Sequence, residues 1–219
     1  MHDVIKSYKE VISAIEHRLK DQNITTQPKV IAVSKTFSLD KILPLIDYGH
    51  LDYGENKVQE AIEKWSDIKL TKKELKLHLI GKLQTNKVKQ AIKIFDYIHS
   101  VDSEKLAKKI ADEEDKQVKK IKIFIQVNIG DEDQKSGINK NQLSDFYQFC
   151  KTLKLNVVGL MCIPPFDQDS KKYFEEMSLL NNGLNLNDLS MGMSSDYLEA
   201  INYSATYLRI GSSIFGNRN

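Results

Sequence analysis

Apolar residues recur along the chain in two alternating periods. Val4, Tyr8, Val11, Ile15 and Leu19 stand three or four apart with Lys, Glu and Arg between them, which predicts an opening amphipathic helix. The apolar run 30–35 (VIAVSK) then reads as a buried strand, and Ser38 as the N-cap of a helix carrying Leu39, Ile42, Leu43 and Ile46. The same alternation repeats. Strands are predicted at 51–56, 77–81, 97–101, 122–128, 156–163, 189–193 and 207–211. The helices between them carry Val58, Ala61, Ile62 and Trp65; Val88, Ala91, Ile92 and Phe95, capped by Asn86; and Leu106, Ala107, Ile110 and Ala111, capped by Ser103. Further helices are predicted over 141–153, 170–181 and 196–202, and the run Pro164-Pro165-Phe166 stops the sixth strand.

Strands that alternate with helices form a parallel sheet with the helices outside. Eight such units predict an α/β fold, a single (β/α)8 TIM barrel with an extra N-terminal helix, as one domain over 1–219. An open doubly wound sheet is the rival. It expects G-x-G-x-x-G after the first strand, where this chain reads VSKTFSLD.

Composition narrows the classes. The chain has 219 residues, enough for one domain to bury about 70% of its unfolded surface without disulfides or metal. Net charge is +2, which leaves no whole-chain footprint for nucleic acid. No apolar run approaches the ~20 residues of a spanning helix, and the charged start MHDVIKSYKEV is not a signal peptide, so no membrane is expected. Cys150 and Cys162 form no CxxC pair, and a reducing, cytoplasmic setting is expected.

In such a barrel the reactive groups sit where strands end. The first strand ends in Lys35, either a nucleophilic amine in a partly desolvated site or a lysine reaching past the rim to solvent. In the last strand, alternation sets Tyr207, Arg209 and Gly211 inward and Leu208 and Ile210 outward. An inward guanidinium needs partners: an internal carboxylate or a hydrogen-bond-accepting ligand. Gly211-Ser212-Ser213 and Gly192-Met193-Ser194-Ser195-Asp196 are small-residue turns after strands eight and seven, suited to an anion or simply to turning the chain. Asn56 either donates to a bound ring or caps the next helix. Phe124, Gln126 and Asn128 share one face, and the two amides fit a polar pocket or a satisfied network. The five histidines show no metal spacing, so no metal is expected, and no hydrolase elbow occurs. Residues 116–122 read as a solvated helix end, and Met161, Met191 and Met193 as core filler. The charged loop 130–137 is a candidate gate.

The segments IAVSKT, YGENKVQE, HLIGKLQTNK, IHSVDS, QVNIG…KSG, GLMCIPP, LSMGMSSD and YLRIGSSIFG occur in one order. In that order they resemble the pyridoxal phosphate homeostasis family (YggS/PROSC type), itself similar to the barrel of alanine racemase, over nearly the whole chain. The resemblance implies a fold-type III barrel for pyridoxal 5′-phosphate (PLP). It implies Lys35 as the Schiff-base lysine, Arg209 opposite the pyridine nitrogen, and Asn56 near the ring. Ser194, Gly211 and Ser212, with a backbone N–H of Ser195, match the phosphate cradle. His78 and GKLQTNK belong to the family pattern without an assigned step.

PLP catalysis uses the ring as an electron sink. Arg209 can only donate, so a ring nitrogen facing it stays unprotonated and the sink is weak. The racemases also use a tyrosine from a C-terminal domain, which a chain ending at Asn219 is expected to lack, and nothing supports Tyr53 or Tyr203 as a substitute. The expectation is therefore a monomeric PLP carrier without robust catalysis, one that buffers the aldehyde and hands it to apo-enzymes. A low-activity amino-acid racemase or lyase is the rival, and a sugar-phosphate or nucleotide barrel without PLP is the third reading.

Overall fold

The computed structural model describes residues 3–132 and 134–217, so His2 and Asp133 of the motifs above lie outside the described residues. Eight parallel strands close into a barrel in sequence order, β1 pairing with β8. The strands are β1 (Lys29–Val33), β2 (Asp52–Glu55), β3 (Lys76–Leu79), β4 (Tyr97–Val101), β5 (Lys122–Gln126), β6 (Asn156–Met161), β7 (Asp188–Met193) and β8 (Tyr207–Ile210). The helices are α1 (Val4–Asp21), α2 (Leu39–Asp47), α3 (Val58–Thr71), α4 (Val88–Ile94), α5 (Glu104–Gln117), α6 (Leu143–Thr152), α7 (Lys171–Gly183), α8 (Tyr197–Asn202) and α9 (Ser212–Phe215). The expected TIM barrel with a leading helix is the observed fold.

Period two explains the two apolar layers. Outward residues such as Val30, Ala32, Leu208 and Ile210 join the large core between barrel and helices. Inward Ile31, Tyr97, Phe124, Met161 and Tyr207 form a small second core inside the barrel. Helix α1 starts at Asp3, whose side chain accepts the Lys6 N–H. It packs on α9, α2 and α8, covering the barrel where β8 meets β1. The helix after β8 has only four residues, so α1 supplies the apolar cover that a full-length eighth helix would give there. Among the described residues no helix is long and apolar enough to cross a membrane.

Several boundaries differ from expectation. The strands end earlier: Ser34 and Lys35 follow β1, and Val127 and Asn128 follow β5, because the strand ends flare into loops that carry polar side chains. Asn86 does not cap α4. It lies inside a 3-10 turn, Thr85–Lys87, that leads into the helix. Ser38 and Ser103 occupy N-cap positions, but neither side chain makes the capping bond. Helix α9 was not anticipated, since a single turn carries no periodicity.

Candidate functional site

A cavity of about 790 Å³ opens at the carboxyl ends of the strands. Lys35, Asn56, Ser194, Ser195, Arg209, Gly211 and Ser212 all line it. Four strand ends that are far apart in sequence, those of β1, β2, β7 and β8, thus bring the predicted residues to one place.

Lys35 arrives there by parity and by a held turn. Ile31 points into the barrel and Val33 lines the cavity, so the next inward position is Lys35. Thr36 follows at φ 68°, a left-handed conformation that a β-branched residue resists. Its N–H donates to Glu60 Oε1 at 2.6 Å. That bond and the Lys64 ion pair hold the Glu60 carboxyl below its usual range against the opposing, larger effect of burial. Lys64 Nζ also donates to the Ser34 carbonyl at 2.9 Å and to Glu55 Oε1 at 3.0 Å. Glu55 Oε1 further accepts from Ser34 Oγ at 2.7 Å and from Trp65 Nε1 at 3.0 Å. A buried polar network on α3 and β2 therefore over-determines the turn that carries Lys35.

The opposite wall holds hydroxyls and amides. Gly192, next to last in β7, stands at φ 88°, and a Cβ there would lie 2.7 Å from Ala200 Cβ. Ser194 Oγ accepts the N–H groups of Gly211 and Ser213, each at 3.3 Å. These bonds lock the two small-residue turns together and leave the Ser194 hydroxyl hydrogen available. Asp196 Oδ1 accepts the Met193 N–H at 2.6 Å and closes the same turn.

Arg209 is buried inside the barrel as alternation required. Its NH1 donates to Ser190 Oγ at 2.7 Å and NH2 to the Cys162 carbonyl at 2.8 Å. No carboxylate forms an ion pair with it among the described residues, so the internal salt bridge is not observed. Burial pulls its pKa down, yet a guanidinium stays charged. Asn56 is held from behind by Gly81, where a Cβ would lie 2.4 Å from the Asn56 carbonyl oxygen. The helix N-cap is Lys57, so Asn56 is not the cap and its side chain is left to the cavity.

Other sequence candidates resolve differently. Gln126 and Asn128 line no part of this cavity. Gln126 Nε2 donates to the Ser136 carbonyl, and Asn128 brackets Glu132 with two bonds. They form the satisfied network and pin the loop 130–137, so the gate expected of it gains no support. Met193 lines the cavity and is not core filler, whereas Met161 and Met191 are fully buried. Among the described residues no tyrosine lines the cavity. Tyr53 faces outward, its ring 4.7 Å from that of Trp65. Burial raises the Cys150 and Cys162 thiols to about 12, and both are free. Sequence reasoning missed Ile80, Ile163 and Phe166 on the cavity wall. Ile80 shares inward parity with His78 and was legible. Phe166, fully exposed just past the double proline, gave no periodic signal.

Comparison with known proteins agrees with this geometry. Residues 12–219 match the family model "Alanine racemase, N-terminal domain". A pyridoxal phosphate homeostasis protein of Aquifex aeolicus is 36% identical over 200 residues, 87% of each chain. One of Pasteurella multocida is 35% identical over 201 residues, covering 87% of this chain and 86% of its own. The fold and strand-end cavity define an alanine racemase-type barrel, and the chain belongs within it to the pyridoxal phosphate homeostasis family. Two solved structures of PipY of Synechococcus elongatus, 32% identical, each cover 92% of this chain and 100% of their own; the TM-score is 0.80 for the one without PLP and 0.77 for the one with PLP bound.

Proposed function

We propose that this protein binds PLP in the strand-end cavity and serves intracellular PLP homeostasis, buffering the aldehyde and passing it to apo-enzymes, without robust catalysis. The domain is the whole barrel, 1–219, acting as a monomer in the cytoplasm. The observation that carries the reading is the chemistry of one cavity: an amine on a held turn, a buried guanidinium, and a hydroxyl–amide wall. These groups fit an aldehyde, a pyridine nitrogen and a phosphate respectively, and a relative at 32% identity is described with PLP bound.

When bound, PLP supplies an electrophilic aldehyde and an electron-withdrawing ring. Lys35 would hold the aldehyde carbon through its amine, and Ser194, Ser195, Gly211 and Ser212 would hold the phosphate. Asn56 would orient the ring, and Arg209 would donate to its nitrogen. A permanent donor there keeps the nitrogen unprotonated and the sink weak, which favours holding over turnover. Among the described residues no tyrosine lines the cavity, and no observation favours the racemase reading.

The test is an absorbance spectrum of the protein incubated with PLP, before and after borohydride, with Lys35→Ala as control. A visible band that borohydride bleaches and that fixes the cofactor on Lys35 is expected. Colourless wild type refutes binding. Racemisation of amino acids that disappears in Lys35→Ala refutes the carrier role.

A further inference from the structure

A line of hydrogen bonds crosses the barrel interior away from the cavity. Arg209 NH1 meets Ser190 Oγ at 2.7 Å, and Ser190 Oγ meets His99 Nδ1 at 2.8 Å. His99 Nε2 lies 3.0 Å from His78 Nδ1, and His78 Nε2 lies 3.0 Å from Asp52 Oδ1. Asp52 opens β2, at the opposite end of the barrel from the cavity. Both histidines and Ser190 are fully buried. His78 stacks on Tyr97 at 4.2 Å and His99 on Phe124 at 4.3 Å, so each ring is clamped in its plane.

The carboxylate end fixes the direction of the bonds through the two neutral rings. The Asp52 carboxylate can only accept, so His78 donates to it from Nε2. A neutral His78 then accepts at Nδ1, so the His99 proton sits on Nε2 and points to it. A neutral His99 accepts in turn at Nδ1, so Ser190 gives its only hydrogen to His99 while its oxygen accepts from Arg209. Each interior member donates once and accepts once, and both imidazoles are neutral. Burial, the largest effect, drives both histidines below their ordinary pKa, and the Asp52 bond to His78 opposes this only in part.

This arrangement answers a question the site leaves open. Arg209 is a buried cation whose direct partners are a hydroxyl and a carbonyl. We infer that Ser190, His99, His78 and Asp52 are positioning residues for Arg209, a one-way relay that ties its charge to the far carboxylate and holds its remaining N–H groups for the ring nitrogen of PLP. The inference rests on the proposed PLP reading. It gives HLIG and IHSV of the sequence a role: His78 and His99 set the donor that the cofactor meets without touching the cofactor. It also couples the floor of the barrel to the cavity.

The test uses the full chain. In the protein without PLP, labelled with 15N-histidine, both buried rings should appear as neutral Nε2–H tautomers with a scalar coupling between His78 Nδ1 and His99 Nε2. With 15N-labelled PLP, wild type should show an unprotonated ring nitrogen. His99→Phe keeps the stack on Phe124 and removes both relay bonds. It should weaken PLP binding about tenfold, the factor set by one hydrogen bond to a charged group. It should also move the ring-nitrogen shift while borohydride still fixes PLP on Lys35. Ser190→Ala and the remote Asp52→Leu should move that shift the same way, and Ser190→Thr, which restores a hydroxyl, should return it toward wild type. An Nδ1–H tautomer at either histidine overturns the relay, and so do variants that keep the wild-type shift and affinity while PLP is trapped on Lys35. Failure to trap PLP on wild-type Lys35 instead refutes the underlying reading.

Discussion

Replacing Lys64 by methionine isolates the network behind the Lys35 turn. Methionine keeps the unbranched stem and removes the charge. The lost bonds run to the Ser34 carbonyl at 2.9 Å and to Glu55 Oε1 and Glu60 Oε1 at 3.0 Å each. The Glu55 side chain is fully buried and Lys64 is nearly so, so water does not replace the missing cation. Glu55 Oε2 already lacks a hydrogen-bond partner, and only the neutral donors Ser34 Oγ and Trp65 Nε1 remain on Oε1. Stranding one member of a buried ion pair costs about 3–5 kcal/mol. For a chain of this size that is a fall in Tm of roughly 6–20 °C. The assay is thermal and urea unfolding of the protein without PLP, with Glu55→Gln added to Lys64→Met. Removing the stranded charge should bring the double variant back to within ~1–2 kcal/mol of wild type. Lys64→Met should also slow borohydride-trapped incorporation of PLP at Lys35, because Glu60 loses the partner that helps it hold Thr36. A single variant within ~1 kcal/mol of wild type, with no recovery in the double variant, would refute the ion-pair account.

Gly81→Ala places a Cβ 2.4 Å from the Asn56 carbonyl oxygen, so backbone must move; unfolding experiments should show a loss of ~1–3 kcal/mol and titration a weaker PLP affinity. Ser194→Ala removes the acceptor shared by the Gly211 and Ser213 N–H groups; the preference for PLP over unphosphorylated pyridoxal should shrink by about tenfold in competition binding. Acid should destabilise the fold through its buried histidines. His50, His78 and His99 are held below their ordinary pKa chiefly by burial, so the unfolded chain takes up more protons as pH falls through about 6.5. Stability is therefore lost as pH falls through the ordinary imidazole range, most of all through His99, which burial holds well below it. Asp188, Asp196 and Glu114, raised by burial, oppose this at lower pH. Urea midpoints independent of pH over that range would contradict it.

Local pattern determined much of this protein. Alternating periods of two and near four specify eight strand–helix units, and parity within each strand specifies which side chains face inward. That is why Lys35, Arg209 and the glycine–serine turns were legible as a site, and why motif order carried the family. What periodicity cannot encode is which inward residues meet. His78 and His99 are 21 positions apart, and His99 and Ser190 are 91 apart. They touch only because barrel closure and strand stagger bring β3, β4 and β7 to one level. The same closure decided that Gln126 and Asn128 tie down a loop, that Lys64 reaches across from α3 to the end of β1, and that the countercharge of Arg209 lies at the far end of the barrel. Hydrogen-bond direction is a property of the assembled line: each proton's place follows from the acceptor-only carboxylate at one end, carried through two neutral imidazoles to the serine beside the guanidinium, and no stretch of sequence contains them all.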